Sequence, residues 1–199
     1  AAGLAISEQL RSQVRGLAQA RRNGEDGIAA LSIADGAAGE ISTLLQRMRE
    51  LAVQSASETI TDTERAYVHS EFDELGQQVD RIANGTQYGS VATNLLLDGN
   101  WAADVQIGAN SGDVLTVDIT DGMDEADLSI NASTIATKAG ADAALDSLDT
   151  AITSVNAARA DIGANINVLE AAMNNAANQE IHNQNAVAAH LCDLAVAGT

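Results

Sequence analysis

Proline is absent from all 199 residues, so the ring that most often breaks a helix occurs nowhere in the chain. Aromatic residues are also scarce, at 2%: one Trp, one Phe and two Tyr. The 46% that is hydrophobic is therefore mostly Ala, Leu, Ile and Val. Such small side chains each bury little area and stabilise a compact globule poorly. They suit long helices lying close together. A single cysteine, Cys192, excludes an internal disulfide and leaves the redox compartment open. Positive charge is short too, with 10 Lys and Arg against 28 Asp and Glu, a formal net charge of −18. A nucleic acid or an anionic membrane would be repelled. No apolar run approaches the roughly 20 residues of a membrane span. No secretory signal peptide opens the chain, although it starts at Ala1 and a leader could have preceded it.

The charge that is present is unevenly placed. Residues 1–57 hold six basic and six acidic side chains, whereas residues 58–199 hold four and 22. A nearly neutral first segment beside an acidic remainder is compatible with self-assembly.

Residues 1–56 read as one long helix. Leu10, Val14, Leu17, Arg21, Gly24, Ile28 and Leu31 step by four and three, the spacing of a coiled-coil seam. The seam then slips by one place and resumes as Ala34, Ala38, Ile41, Leu45, Met48 and Ala52, a shift that a local change of winding absorbs. Glycines 24, 27, 36 and 39 weaken the helix by about 1 kcal/mol each but let another helix come close. A second helix spans 61–84. Thr61 and Glu64 form a capping box, Val68, Phe72, Leu75, Val79 and Ile82 form its seam, and Asn84-Gly85 ends it with a residue that tolerates the left-handed conformation. The linker between the two helices is short, so they run antiparallel.

Helical spacing disappears over 86–140. Val105 and Ile107, then Leu115, Val117 and Ile119, alternate with polar neighbours around Asn110-Ser111-Gly112, which predicts a small β-hairpin. A third helix covers 142–180, with Leu145, Leu148, Ile152, Val155, Arg159, Ile162, Ile166, Leu169 and Met173 in three-four alternation, interrupted only by Arg159. Residues 181–199 form an Asn- and Ala-rich tail without a clear pattern. The fold expected is mainly α: an elongated, antiparallel, three-helix coiled-coil-like rod, a single domain with a small β-hairpin region between the second and third helices.

No catalytic constellation emerges, and no cofactor is implied. His190 and Cys192 lie about 200° apart on a helix, unsuited to one ion. His69 and His182 add no metal-binding spacing. Nucleophile elbows and phosphate loops are missing. The acidic run Asp118, Asp121, Asp124, Glu125 and Asp127 lacks the glycine and glutamate of a calcium loop and reads as a solvated acidic loop.

Several segments resemble bacterial flagellin. Ala1 to Ser7 is similar to the place where the family's tube-lining segment gives way to the rod, and Gln46 to Gln54 to its most recognisable stretch. The runs at 79–84, 95–99 and 105–112 follow in family order, and Ala158 to Ala164 resembles the carboxy-terminal rod helix. The resemblance covers roughly residues 1 to 175. It implies a rod-domain fragment without the terminal inner-tube segments and the variable outer domains. Residues 176–199 depart from the family's closing pattern.

What the resemblance implies is a structural subunit of the extracellular flagellar filament, serving motility and self-assembling through rod packing with other flagellin subunits. It also implies partnership with a flagellar export chaperone and cap protein, and export by the flagellar apparatus without a cleaved signal peptide. A fragment lacking the polymerising ends is expected to stay monomeric. The alternative is a flagellin-like protein displayed on the cell surface as a receptor or adhesin. By the same resemblance, Gln46, Arg47, Glu50, Leu51, Gln54 and Glu71 are contacts for the animal Toll-like receptor that senses flagellin. The plainer reading of the same residues is that Leu44 and Leu51 widen the core stripe and Arg47 is a solvated charge.

Overall fold

A computed structural model describes residues 2–89 and 95–197. Part of the loop region expected at 86–140 therefore lies outside the described residues, as do Ala1 and the last two positions of the tail. Helix α1 spans Ala2–Ala56 and α2 spans Asp62–Gly85, followed by strands β1 (Trp101–Gln106) and β2 (Val114–Ile119) and by α3 (Lys138–Ala197). The fold is mainly α, with three helices and one small antiparallel sheet among the described residues.

The chain forms two compact units, and α1 and α3 contribute to both. One comprises Ala30–Ala102 and Asp118–Ala164. Here Ala34, Ala38, Ile41, Leu45, Met48 and Ala52 of α1 are all buried, as the resumed seam requires. Phe72 and Val79 of α2 join them. From α3 come Ala144, Leu148, Ala151, Val155, Ala158 and Ile162. The α3 stripe thus lies one flank over from the expected one. Leu145, Ile152 and Arg159 are only half-buried, and alanines take the inner positions. Small side chains at those positions let helices approach closely, so the apparent interruption at Arg159 lies outside the core stripe. Arg159 instead pairs with Asp35 of α1, Nε to Oδ1 at 2.8 Å.

α1 and α3 run antiparallel in this unit, as Arg49 to Asp149 and Asp35 to Arg159 show. α2 runs antiparallel to α1, with Arg47 against Glu71 and Ser55 against Arg65. The capping box at α2 is formed as its sequence requires, but its other end differs from expectation. Gly85 is not left-handed; Thr86, in extended conformation, closes the helix by donating both its N–H and its Oγ1 hydroxyl to the Ile82 carbonyl. A hydroxyl that satisfies an orphan carbonyl removes the need for a left-handed residue.

The other unit comprises Ala1–Ala29, Ala103–Val117 and Asn165–Thr199. Arg21 meets Glu180 and Gln13 meets Asn183, so α1 and α3 are antiparallel here as well. The third partner is the hairpin rather than a helix. A Cβ on Gly27 would sit 3.3 Å from both Leu169 of α3 and Val105 of β1, and one on Gly16 would sit 3.0 Å from Ala109. The Asn23 amide donates to the Gln106 carbonyl at 3.2 Å. Three of the four glycines face α3 as expected, Gly24 toward Met173, Gly27 toward Leu169 and Gly39 toward Arg159, whereas Gly36 faces open space.

Two expected boundaries change. α3 begins at Lys138, and it continues unbroken to Ala197 instead of ending near residue 180. The tail contains no proline and is rich in alanine, so backbone propensity carries the helix on where the apolar period fades. α1 also contains a window of mean hydropathy 1.3, apolar enough for a membrane span by composition alone. Leu31, Ile41 and Leu45 of this helix are fully buried in the protein core.

Candidate protein-interaction surface

On α1, Arg47, Glu50 and Gln54 follow at three- and four-residue steps with Gln46 beside Arg47, and all four are exposed because Leu45, Met48 and Ala52 take the core face. Arg47 is the hub of this surface. Its Nε and Nη2 donate to Glu71 Oε1 of α2 at 3.1 and 2.8 Å, and its Nη1 donates to Glu50 Oε2 at 2.9 Å. The hydrogen bond to Glu71, then that to Glu50, raises the Arg47 pKa above its ordinary value. The guanidinium is half exposed, so the bridge adds little stability. What it does is hold one cation and two carboxylates in a fixed arrangement across α1 and α2.

Five of the six expected site residues therefore lie on the surface, and three of them are joined directly. Leu51 does not share that exposure. It is 2% exposed and belongs to the core stripe. One turn beyond Arg47, it supports the surface from within.

A residue that sequence reasoning missed is Tyr67, 74% exposed on α2. It lies four residues before Glu71 and so on the same helix face. In a chain with two tyrosines, one left this exposed has the character of a binding anchor, with an apolar body and a polar tip. Its position four residues before Glu71 was the available signal.

The chemistry elsewhere is sparse. Among the described residues, no group of three or more His, Cys, Asp or Glu side chains is placed to hold a metal ion. An open cleft of about 400 Å³ is lined in part by Asp121, Asp127, Ser154 and Val155, without a histidine to activate the serine hydroxyl. The acidic loop is not simply solvated. Leu128 and Ile130 are buried, and burial, then Asp80, raises the Glu125 pKa.

The described residues thus form antiparallel helices with a small hairpin, and α1 and α2 present an exposed polar face joined by Arg47 and Glu71. Comparison with known proteins specifies the family. Residues 1–102 match the bacterial flagellin N-terminal helical region. The chain is 41% identical to a flagellin of Halalkalibacterium halodurans over 180 residues, covering 88% of this chain and 64% of that protein. It is 37% identical to a flagellin of Bacillus subtilis over 210 residues, covering 88% and 68%. The crystal structure of Bacillus cereus flagellin superimposes with a TM-score of 0.68 at 30% identity, over 78% of this chain and 88% of that one. The chain belongs to the flagellin family. It spans about two thirds of the length of the two relatives compared.

Proposed function

We propose that this chain is the core portion of a subunit that packs against copies of itself in the extracellular filament of a bacterial flagellum, and so serves motility. The match of residues 1–102 to the flagellin amino-terminal helical region carries this reading. It is supported by outward-facing apolar side chains on both long helices, Ile33 and Val53 on α1 and Val168 and Ile181 on α3. Export through the flagellar apparatus without a cleaved leader, and partnership with an export chaperone and a cap protein, belong to the same reading. The test is to express the whole gene product in a strain deleted for its own flagellin. Filaments in electron microscopy and restored swimming are expected. A secreted protein that coats the cell without forming filaments would favour an adhesin instead.

The same reading makes the Arg47–Glu71 surface, with Gln46, Glu50 and Gln54 around it and Leu51 beneath, a contact for the host Toll-like receptor that senses flagellin. An arginine held in place by its neighbours beside an exposed tyrosine is a common hot-spot composition. Arg47→Ala is expected to weaken binding to the receptor ectodomain by roughly tenfold or more, about 1.4 kcal/mol. Unchanged binding of Arg47→Ala and Glu71→Ala, each with native circular dichroism, would reject the assignment.

A further inference from the structure

We propose that residues 124–134 form a proton-controlled clasp, docked along one stripe of α2 and held more tightly as the surroundings become acidic. The stripe is His69, Asp73, Gly76 and Asp80, whose four-three-four spacing puts all four residues on one helix face. Each end of the segment meets it. At one end Asp80 Oδ1 accepts the Glu125 backbone N–H at 2.8 Å. At the other, Thr134 Oγ1 lies 3.4 Å from His69 Nε2. Between them Gly76 is a notch: a Cβ there would collide with the Glu125 carboxylate and come within 3.7 Å of Met48 of α1. The segment folds back on itself over this contact. The Glu125 carbonyl accepts the N–H groups of Ile130 and Asn131, while Leu128 and Ile130 turn inward.

The charges at the dock point one way. The groups acting on Glu125 are Asp80 and Asp73 from α2 and Asp124 from its own loop, all of them acidic; α1 contributes the uncharged Met48 at the notch. When Glu125 is ionised, it is held partly desolvated among three carboxylates. Burial first, then these neighbours, makes the docked state favour the protonated carboxyl. A group whose pKa is raised by docking weakens docking above that pKa and strengthens it as pH falls through it. Neutralising the Glu125 anion therefore favours the docked segment.

Hydrogen exchange on the full chain tests this. The Glu125, Leu128, Ile130 and Asn131 amides report on the clasp, and the Leu45 and Met48 amides of α1 serve as reference. Corrected for intrinsic exchange, clasp protection should rise on the order of threefold to tenfold from about pH 7.5 to about pH 5, relative to the reference. Glu125→Gln should give high protection with the pH dependence removed. The proposal is overturned by flat protection in the unsubstituted protein, by a slope that survives Glu125→Gln, or by clasp and reference amides changing together.

Discussion

Arg65 of α2 donates from Nε to the backbone carbonyl of Ser55, 2.9 Å away, and so caps the end of a helix to which it does not belong. Its Nη2 donates to the Ser57 carbonyl at 2.7 Å and its Nη1 to Asp62 Oδ1 at 2.7 Å. α1 has no basic residue in its own last turn, so the cation that complements its carboxy-terminal dipole comes from the next element. The turn between the helices is thus built around one guanidinium, 7% exposed. Arg65→Met should cost about 2–4 kcal/mol, because the carbonyls it satisfies are left without a donor. Urea unfolding followed by circular dichroism measures this, and a loss below about 0.5 kcal/mol would show that water replaces the guanidinium.

Two helical glycines should gain unequally from alanine. At Gly36 a Cβ meets nothing within 4 Å, so Gly36→Ala should stabilise the protein by about 0.5–1 kcal/mol through the backbone alone. At Gly76 the same methyl displaces the Glu125 carboxylate, the far end of a flexible side chain, so Gly76→Ala should gain less than Gly36→Ala because the Glu125 seat is lost. Thermal unfolding of the two variants side by side gives the comparison.

The core stripe of α3 separates from the charge beside it by the same measurement. Leu148→Ala removes a fully buried side chain and should cost about 2–5 kcal/mol. Arg159→Met removes the ion pair to Asp35, whose two side chains are 38% and 39% exposed, and should change stability by less than about 1 kcal/mol. Equal effects would put Arg159 back in the core.

The start of α2 should fray in acid. Glu64 accepts the Thr61 backbone N–H at 2.7 Å, and this bond, then the Thr61 hydroxyl, lowers the Glu64 pKa below 4.5. A carboxylate with a lowered pKa contributes its stability above the unfolded value and loses it as pH falls through the folded one. Amide exchange in the first turn should therefore accelerate below about pH 4.5, relative to the helix middle, and Glu64→Gln should abolish that acid step. Thr61→Ala, which removes the other half of the box, should cost about 1 kcal/mol at neutral pH.

Much of the fold is legible in the sequence because helix and strand periodicities are local. The Ala34 to Ala52 seam, the Thr61 cap and the alternation around Val105 and Val117 each depend on residues a few places apart. The exact buried stripe of α3 is less legible. Ala144, Ala151 and Ala158 read as neutral filler beside Leu145 and Ile152, and only the partner helix's distance decides which flank goes inward. The polar surface was legible in part. The family resemblance pointed to Gln46, Arg47, Glu50, Gln54 and Glu71, but that Arg47 joins Glu71 across two helices, and that Tyr67 is exposed, depends on how α2 packs. Arg65 was missed because a cap supplied from the next helix has no signature within either helix.

Sequence alone determined that the chain would be helical, without an internal disulfide and strongly acidic, since proline, cysteine and charge are counted residue by residue and act locally. Only tertiary structure decided that Leu51 is core, that the hairpin packs beside α1 and α3, and that Glu125 lies in the notch at Gly76. Those outcomes depend on which atoms meet across distant stretches of chain, where close packing rewards one arrangement over others that share the same periodicity.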